Sequence, residues 1–190
     1  LESVLGQDYS DIEYLVIDGN SNDGTQEIVQ RYLGKIDKFI SEEDEGLYDA
    51  INKGIGHASG DLIGLLHADD FYQHHQVISY AVDTIQKKHV DSLYGDLCYV
   101  DKKNTDKIIR HWKSGPFDKS RFLKGWMPPH PTFFVKKVCY EKFGYYDTNF
   151  SNSADYELML RFLYKYGVST SYLPQVMRSE EHTSELQSRM

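Results

Sequence analysis

Short apolar runs alternate with amphipathic stretches along most of this 190-residue chain, and this pattern constrains the fold more than any other feature. The apolar runs, which we predict to be strands, are residues 12–17, 38–41, 62–66, 92–94 and 132–135. The stretches with apolar residues at helical spacing are residues 25–33, 47–58, 77–85 and 156–166. Alternation of this kind is typical of the α/β class, in which helices cover a mostly parallel sheet.

Three segments depart from the alternation. Residues 101–131 contain Gly115-Pro116 and Pro128-Pro129, which break the pattern, and we predict a loop-rich segment there. Residues 1–7 begin in the middle of a helical pattern, so we expect preceding sequence to be missing. The composition changes abruptly at Arg178, and residues 178–190 resemble the translation of a sequencing-library adapter. We therefore predict one domain over residues 1–177 and a non-native tail over residues 178–190.

The balance of charge and cysteine narrows the classes of function. With 29 acidic residues against 21 Lys and Arg, the formal net charge is −8, which argues against a nucleic-acid partner. The two cysteines show no CxxC spacing, so we expect a reduced, cytoplasmic protein. No apolar stretch reaches the roughly 18 residues of a membrane span. Association with the inner face of the membrane stays open, but this sequence contains no membrane-spanning segment that would provide it.

Acidic residues end two of the predicted strands. Asp18 closes the first strand, and Asp69 and Asp70 follow the third. Because ligands of open α/β sheets bind beyond the carboxyl ends of the strands, we expect these acids to share one crevice. Clustered carboxylates resist desolvation unless a cation relieves them, and Mg²⁺ or Mn²⁺ is commonly held by such acids together with phosphates. His67 could add a ring nitrogen, which favours Mn²⁺. The alternative is that Asp69 and Asp70 only begin a turn or cap a helix.

A further acid, Asp155, stands at the N-terminal end of an apolar helical stripe formed by Met159, Phe162 and Tyr166. By helical spacing, its side chain points toward the core or a cleft. One interpretation is a general base that takes a proton from an attacking hydroxyl. The other is a helix N-cap, for which Asp is among the best residues.

Six sequence blocks in order resemble those of family 2 glycosyltransferases, which adopt the Rossmann-like GT-A fold. The blocks are residues 14–25, 41–54, 58–70, 94–96, 130–133 and 154–156. The resemblance covers about residues 1–177. It implies that the first strand of the fold would lie upstream of Leu1, and we expect a chain that lacks this strand to be poorly stable or inactive.

The resemblance also implies a role for individual residues. Those implied to bind the nucleotide-sugar are Asp18, Asp44, Asn52, Lys53 and Asp69. Those implied to bind metal are Asp69, Asp70 and His67, although His67 stands where the family usually has Asp or Asn. Asp155 matches the catalytic base of inverting members. Asp96 and His130 match positions on the sugar or acceptor side.

The function expected from the resemblance is an inverting, Mn²⁺- or Mg²⁺-dependent sugar transfer to an acceptor hydroxyl. The donor would be a nucleoside-diphosphate-sugar, with a UDP-sugar favoured, and the acceptor a glycan or a lipid-linked molecule near residues 101–131. One alternative is a noncatalytic domain that binds the nucleotide-sugar. Another is a receiver-type signalling domain, which also gathers acids at strand ends. The sequence does not specify the sugar, the nucleotide or the acceptor.

Overall fold

The computed structural model describes residues 1–182, which divide into two compact units. We call residues 10–63 and 136–168 the helical unit. Residues 1–9, 64–135 and 169–182 form the rest of the described chain, which we call the sheet unit. Each unit is described separately below.

The helical unit combines a small parallel sheet with most of the helices. Its elements are β1 (Leu15–Asp18), α2 (Thr25–Gln30), β2 (Lys38–Ser41), α3 (Leu47–His57), α5 (Lys137–Phe143) and α6 (Ala154–Met159), which continues into a π-helical turn (Leu160–Lys165). Strands β1 and β2 pair in parallel, from Leu15 opposite Lys38 to Asp18 opposite Ser41. Helix α3 comes close to β1, because a Cβ built on Gly54 would lie 3.2 Å from Ile17 Cγ1.

The sheet unit is built around one almost fully buried strand. Its elements are α1 (Glu2–Leu5), β4 (Asp70–Tyr72), α4 (Val77–Lys88), β5 (Ser92–Asp101), β6 (Asn104–Trp112) and β8 (Thr170–His182), while β3 (Leu62–Gly64) and β7 (Phe134–Lys136) lie where the chain passes between the units. The strand order is β3-β7-β5-β8-β4, and β6 pairs with β5. Short 3₁₀ turns follow at Lys119–Lys124 and His130–Thr132.

The α/β class is confirmed, but the prediction of a mostly parallel sheet was wrong. Strand β5 runs parallel to β8 and antiparallel to both β6 and β7, and β4 is antiparallel to β8. The physical reason is the connection between strands. Parallel neighbours need a long crossover, whereas β5 and β6 are joined directly by the turn at Lys102 and Lys103, which can only give an antiparallel pair.

Two other predictions meet the structure in part. The segment 101–131 contains strand β6 as well as loops, and nearly every β6 residue is exposed, so the alternating apolar pattern of a half-buried strand is missing. Strand β8 runs across the predicted boundary at 177/178 and reaches His182, while residues 183–190 lie outside the described residues. The division into a domain and a non-native tail stays a prediction. Over residues 1–182, no helix has the length and apolar character that crossing a bilayer requires.

Arg161 ties the helices of the helical unit together. Its guanidinium lies in the π-helical turn after α6 and donates to the main-chain carbonyls that end α5, those of Phe143, Gly144 and Tyr145. The same group forms two 2.8 Å hydrogen bonds with the carboxylate of Glu157. A planar fork of donors can satisfy all these oxygens at once, which a lysine ammonium cannot do.

We expect Arg161→Lys to lower the free energy of unfolding by about 1–3 kcal/mol, since a lysine cannot replace all the hydrogen bonds to the three main-chain carbonyls and to Glu157. Urea denaturation followed by circular dichroism measures the change. Arg31→Lys, the same substitution at an exposed position, is the matched control. Equal unfolding midpoints for the two variants would contradict this role of Arg161.

Candidate functional site

Asp18 is buried at the carboxyl end of β1, with 7% of its surface exposed. Its Oδ2 accepts hydrogen bonds from the Ser41 hydroxyl at 2.6 Å and from the Ser21 main-chain N–H at 3.1 Å. Burial by itself raises the pKa of this carboxyl, but the hydrogen bonds from Ser21 and Ser41 outweigh it, so the pKa lies below its ordinary value. Asp18 is therefore a preorganised negative charge at a strand end.

Asp44 lies beside this acid in the loop after β2. A Cβ built on Gly19 would collide with the Asp44 carboxylate, so glycine at this position lets the side chain approach the main chain just after Asp18. The Asp44 Oδ1 also accepts the N–H of Gly46 at 2.9 Å. Two carboxylates therefore lie near the end of β1, where they can accept N–H or O–H donors of a ligand.

Asn52 and Lys53, on α3, have partners within the helical unit. The Asn52 side chain donates to the carbonyl of Tyr146 and accepts its N–H, both at 2.9 Å. The Lys53 ammonium lies 3.1 Å from a Glu42 oxygen and 3.2 Å from an Asp49 oxygen. Asn52 thus holds the Tyr146 segment on α3, and Lys53 places a positive charge in the acidic loop that contains Asp44.

Asp155 lies in the first turn of α6, whose N-cap is Ser153, so the interpretation of Asp155 as the N-cap was wrong. Its Oδ1 accepts the hydroxyl of Tyr48 at 3.2 Å and the N–H of Tyr156 at 2.8 Å. These two bonds orient the carboxylate, and a fixed, half-buried carboxylate suits a general base.

Tyr48 is a functional candidate that sequence reasoning missed. Its ring stacks on Tyr146 with centroids 5.6 Å apart and planes inclined by 13°. Burial, together with the negative charge of Asp155, raises the pKa of the Tyr48 phenol, which therefore stays protonated and donates to Asp155 at neutral pH. Tyr48 lies in the recognised block 41–54, but Asp155 is more than 100 residues away in sequence, and only the fold brings the two together.

The acids after β3 lie in a tight turn of the sheet unit. The N–H of Asp70 donates to the carbonyl of His67 at 3.1 Å, and Asp69 between them is exposed. Burial, with further contributions from the charges of Arg178 and His130, lowers the pKa of His67 to about 3. The ring is therefore neutral at physiological pH and keeps a lone pair for a ligand.

Asp70 differs from Asp69 because it forms an ion pair with the fully buried Arg178. The guanidinium also donates to the carbonyl of Leu65 at 2.9 Å and to that of Pro131 at 2.7 Å. The positive charge of Arg178 offsets the negative charge of the Asp70 carboxylate. Arg178 would therefore compete with a metal for this carboxylate. Arg178 lies in the predicted tail, so sequence reasoning had not considered it as a partner.

The donor set near this turn limits how a metal could be held. No cluster of three or more His, Cys, Asp or Glu side chains suited to a metal occurs within residues 1–182. The exposed carboxylate of Asp69 and the neutral ring of His67 remain as candidate metal ligands. Such a set does not form an all-protein cage, but it fits Mg²⁺ or Mn²⁺ that is bound by one carboxylate together with substrate phosphates.

Asp96 and His130 are both buried in the sheet unit. Asp96 lies in the middle of β5 and accepts the N–H of Ser114 and the hydroxyl of Tyr172, each at 2.8 Å. The His130 ring lies 6.3 Å from that of His67, measured between centroids. The sheet unit therefore brings His130 and His67 together, while Asp96 has a structural network of its own.

The predicted site residues fall into two groups. The helical unit contains Asp18, Asp44, Asn52, Lys53 and Asp155. The sheet unit contains His67, Asp69, Asp70, Asp96 and His130. That Asp18, Asp69 and Asp155 open onto one cleft stays a prediction.

The chain belongs to Glycosyl transferase family 2, whose family model matches residues 1–150. Asp155 lies just beyond the matched residues. This membership shows that the alternative of a receiver-type signalling domain was wrong.

Comparison with individual proteins agrees with the family. The chain is 35% identical over 167 residues to an uncharacterized glycosyltransferase of Mycobacterium tuberculosis strain CDC 1551, covering 85% of this chain and 61% of that protein. It is 27% identical over 187 residues to a PGL/p-HBAD biosynthesis glycosyltransferase of Mycobacterium bovis, covering 94% of this chain and 69% of the relative. The chain thus spans about 61% of the length of the first of these relatives.

Solved structures confirm the GT-A fold. S. aureus TarS residues 1–349 in complex with UDP matches with a TM-score of 0.73 at 17% identity, covering 97% of this chain and 56% of that one. The mannosyltransferase PcManGT from Pyrobaculum calidifontis, in complex with GDP-Man and Mn²⁺, matches with a TM-score of 0.66 at 18% identity. The match covers 94% of this chain and 51% of PcManGT.

We expect Asp18→Asn to reduce stability at neutral pH by about 1–3 kcal/mol, because hydrogen bonds to a charged acceptor are lost. Since folding lowers the pKa of Asp18, its stabilisation is present above the ordinary value of 3.8 and is lost as the pH falls through the folded-state value. The difference between wild type and variant should therefore shrink below about pH 4. Urea denaturation from pH 3 to pH 7 measures it, with the exposed Asp11→Asn as control. A difference that does not change with pH would exclude the ionised Asp18 as its source.

Proposed function

We propose that this chain is the catalytic part of an inverting glycosyltransferase that moves a sugar from a nucleoside-diphosphate-sugar to an acceptor hydroxyl. The observation that carries the proposal is Asp18, which is buried at the end of β1 and kept ionised by Ser21 and Ser41 in a member of this family. A fixed carboxylate there can accept the imide N–H of a uracil base. Asp44 beside Gly19 adds a second acceptor for the same donor.

Similar proteins support a nucleotide-sugar as the donor. TarS has been solved with UDP and with UDP-GlcNAc, and PcManGT with GDP-Man. We favour a UDP-sugar, since Asp18 suits uracil, and we propose a glycan or lipid-linked acceptor. Cys98 and Cys139 are both buried and form no disulfide within residues 1–182, which supports a reducing, cytoplasmic compartment.

We propose Asp69 as the protein ligand of a divalent cation, Mn²⁺ or Mg²⁺, that is held jointly with the donor phosphates. His67 is the second candidate ligand, because its ring is neutral at physiological pH. Asp70 is the weakest of the three, because it is already paired with Arg178. When bound, the cation would supply positive charge that stabilises the departing diphosphate.

Asp155 supplies the base in the proposed mechanism. Its carboxylate accepts the proton of the acceptor hydroxyl while the hydroxyl oxygen bonds to the anomeric carbon. The bond from that carbon to the diphosphate breaks in the same displacement, and one displacement inverts the anomeric centre. Tyr48 and the N–H of Tyr156 hold the carboxylate oxygen Oδ1 and orient the base.

We expect Asp155→Asn to lower kcat by about 10²–10⁴-fold with donor binding unchanged, because an amide cannot accept the proton. Release of nucleoside diphosphate is measured over a panel of UDP- and GDP-sugars with Mn²⁺ or Mg²⁺. Donor affinity is measured in parallel by calorimetry.

The matched control for this experiment is Asp83→Asn, at an exposed position on α4. If wild type binds a donor but releases no diphosphate with any acceptor, and Asp155→Asn binds equally, the chain is a noncatalytic binding domain. Retention of the anomeric configuration in the product would remove Asp155 from the role of base. Full turnover in the presence of EDTA would show that the reaction does not need a divalent metal.

We expect Tyr48→Phe to lower kcat by about 2–10-fold with donor binding unchanged, because the phenol no longer holds Oδ1 of Asp155 in place. The phenylalanine ring preserves stacking on Tyr146. Tyr166→Phe, at an exposed tyrosine, should leave kcat unchanged in the same assay. Equal kcat for Tyr48→Phe and wild type would remove Tyr48 from the role of orienting the base.

A further inference from the structure

The hairpin of β5 and β6 presents an exposed edge of the sheet. All residues from 102 to 111 are exposed, so β6 shows both of its faces to solvent. Within residues 1–182, β6 pairs with β5 alone. No residue with a role in the proposed reaction lies in this strand, and an exposed, irregular edge of this length calls for an explanation.

The hairpin carries a net positive charge, whereas the rest of the chain is negatively charged. Residues 101–113 contain five basic residues, Lys102, Lys103, Lys107, Arg110 and Lys113, and two acidic residues, Asp101 and Asp106. With 21 basic and 29 acidic residues in the whole chain, 16 basic and 27 acidic residues remain elsewhere. Asp101 compensates Lys107 only weakly, at 3.8 Å. A local positive patch therefore lies on an otherwise acidic protein.

Two large apolar side chains are exposed within this patch, Ile108 at 44% and Ile109 at 46%. They adjoin an irregularity in the ladder, because Tyr99 lies opposite Arg110 and Val100 opposite Ile108. Ile109 is therefore the extra residue of a β-bulge. A bulge flanked by Lys107 and Arg110 hinders the addition of another strand, which disfavours a second copy of this chain as the occupant of the edge.

We infer that the β6 edge is a docking surface for an anionic lipid bilayer. The Lys and Arg side chains match lipid phosphates in charge, and Ile108 and Ile109 can enter the apolar boundary below the headgroups. A soluble polyanion would use the charges but gain nothing from two exposed isoleucines. The net negative charge of the chain does not prevent this contact, since charges more than about 8 Å apart are largely screened at physiological salt.

Sedimentation of the full chain with vesicles tests this surface. We expect binding to vesicles of 70% phosphatidylcholine and 30% phosphatidylserine, and much weaker binding to pure phosphatidylcholine. Lys102→Glu/Lys103→Glu should weaken binding by at least about 20-fold, since each basic residue near an anionic surface contributes about fivefold. Ile108→Ser/Ile109→Ser should weaken it by about fivefold or more.

Matched controls change the same residue types elsewhere on the surface. Lys35→Glu/Lys165→Glu and Leu33→Ser, all at exposed positions, should bind vesicles nearly as wild type does. The inference is overturned if wild type does not prefer the anionic vesicles, or if the controls lose as much binding as the β6 variants. It is also overturned if Ile108→Ser/Ile109→Ser binds normally and heparin competes fully, which would indicate a soluble polyanion, or if these serines only abolish self-association.

Discussion

A buried carboxylate must keep hydrogen-bond donors, and in the helical unit this requirement connects the two strands at the candidate site. Asp18 ends β1, and the hydroxyl of Ser41, which ends β2, donates to it at 2.6 Å. The N–H of Ser21 brings the following turn to the same oxygen. The charge that we propose to meet the nucleotide is thus also the charge that holds the strand ends in register, so binding and stability are coupled at this residue.

Helix α3 transmits this arrangement to the proposed base. At Gly54 it packs closely on Ile17 of β1, at Asn52 it is bonded to the main chain of Tyr146, and through Tyr48 it reaches Asp155. One helix therefore connects the end of β1, where we propose that the nucleotide binds, with the proposed base. In the sheet unit, the buried Arg178 has a comparable role, because it binds Asp70 and two main-chain carbonyls.

The periodicity of apolar residues was sufficient to predict the α/β class, since it depends on local burial that each strand and helix shows on its own. It was not sufficient to predict the mixed sheet, because the direction of a strand depends on its connection and its neighbours. Strand β6 escaped prediction for a related reason. It is exposed on both faces, so it carries no alternating pattern, and only its pairing with β5 makes it a strand.

The sequence by itself determined the family and the chemical types of the site residues, because ordered blocks such as residues 14–25 and 58–70 are recognisable without coordinates. Tertiary structure decided which of these side chains already have partners. Asp69 and Asp70 are indistinguishable in sequence, but only Asp70 meets a buried guanidinium from β8, more than 100 residues away. Likewise, the spacing alone allowed Asp155 to be either a helix N-cap or a base. In the structure the N-cap of α6 is Ser153. Contacts between residues far apart in the chain leave no local pattern, so only the folded chain decides them.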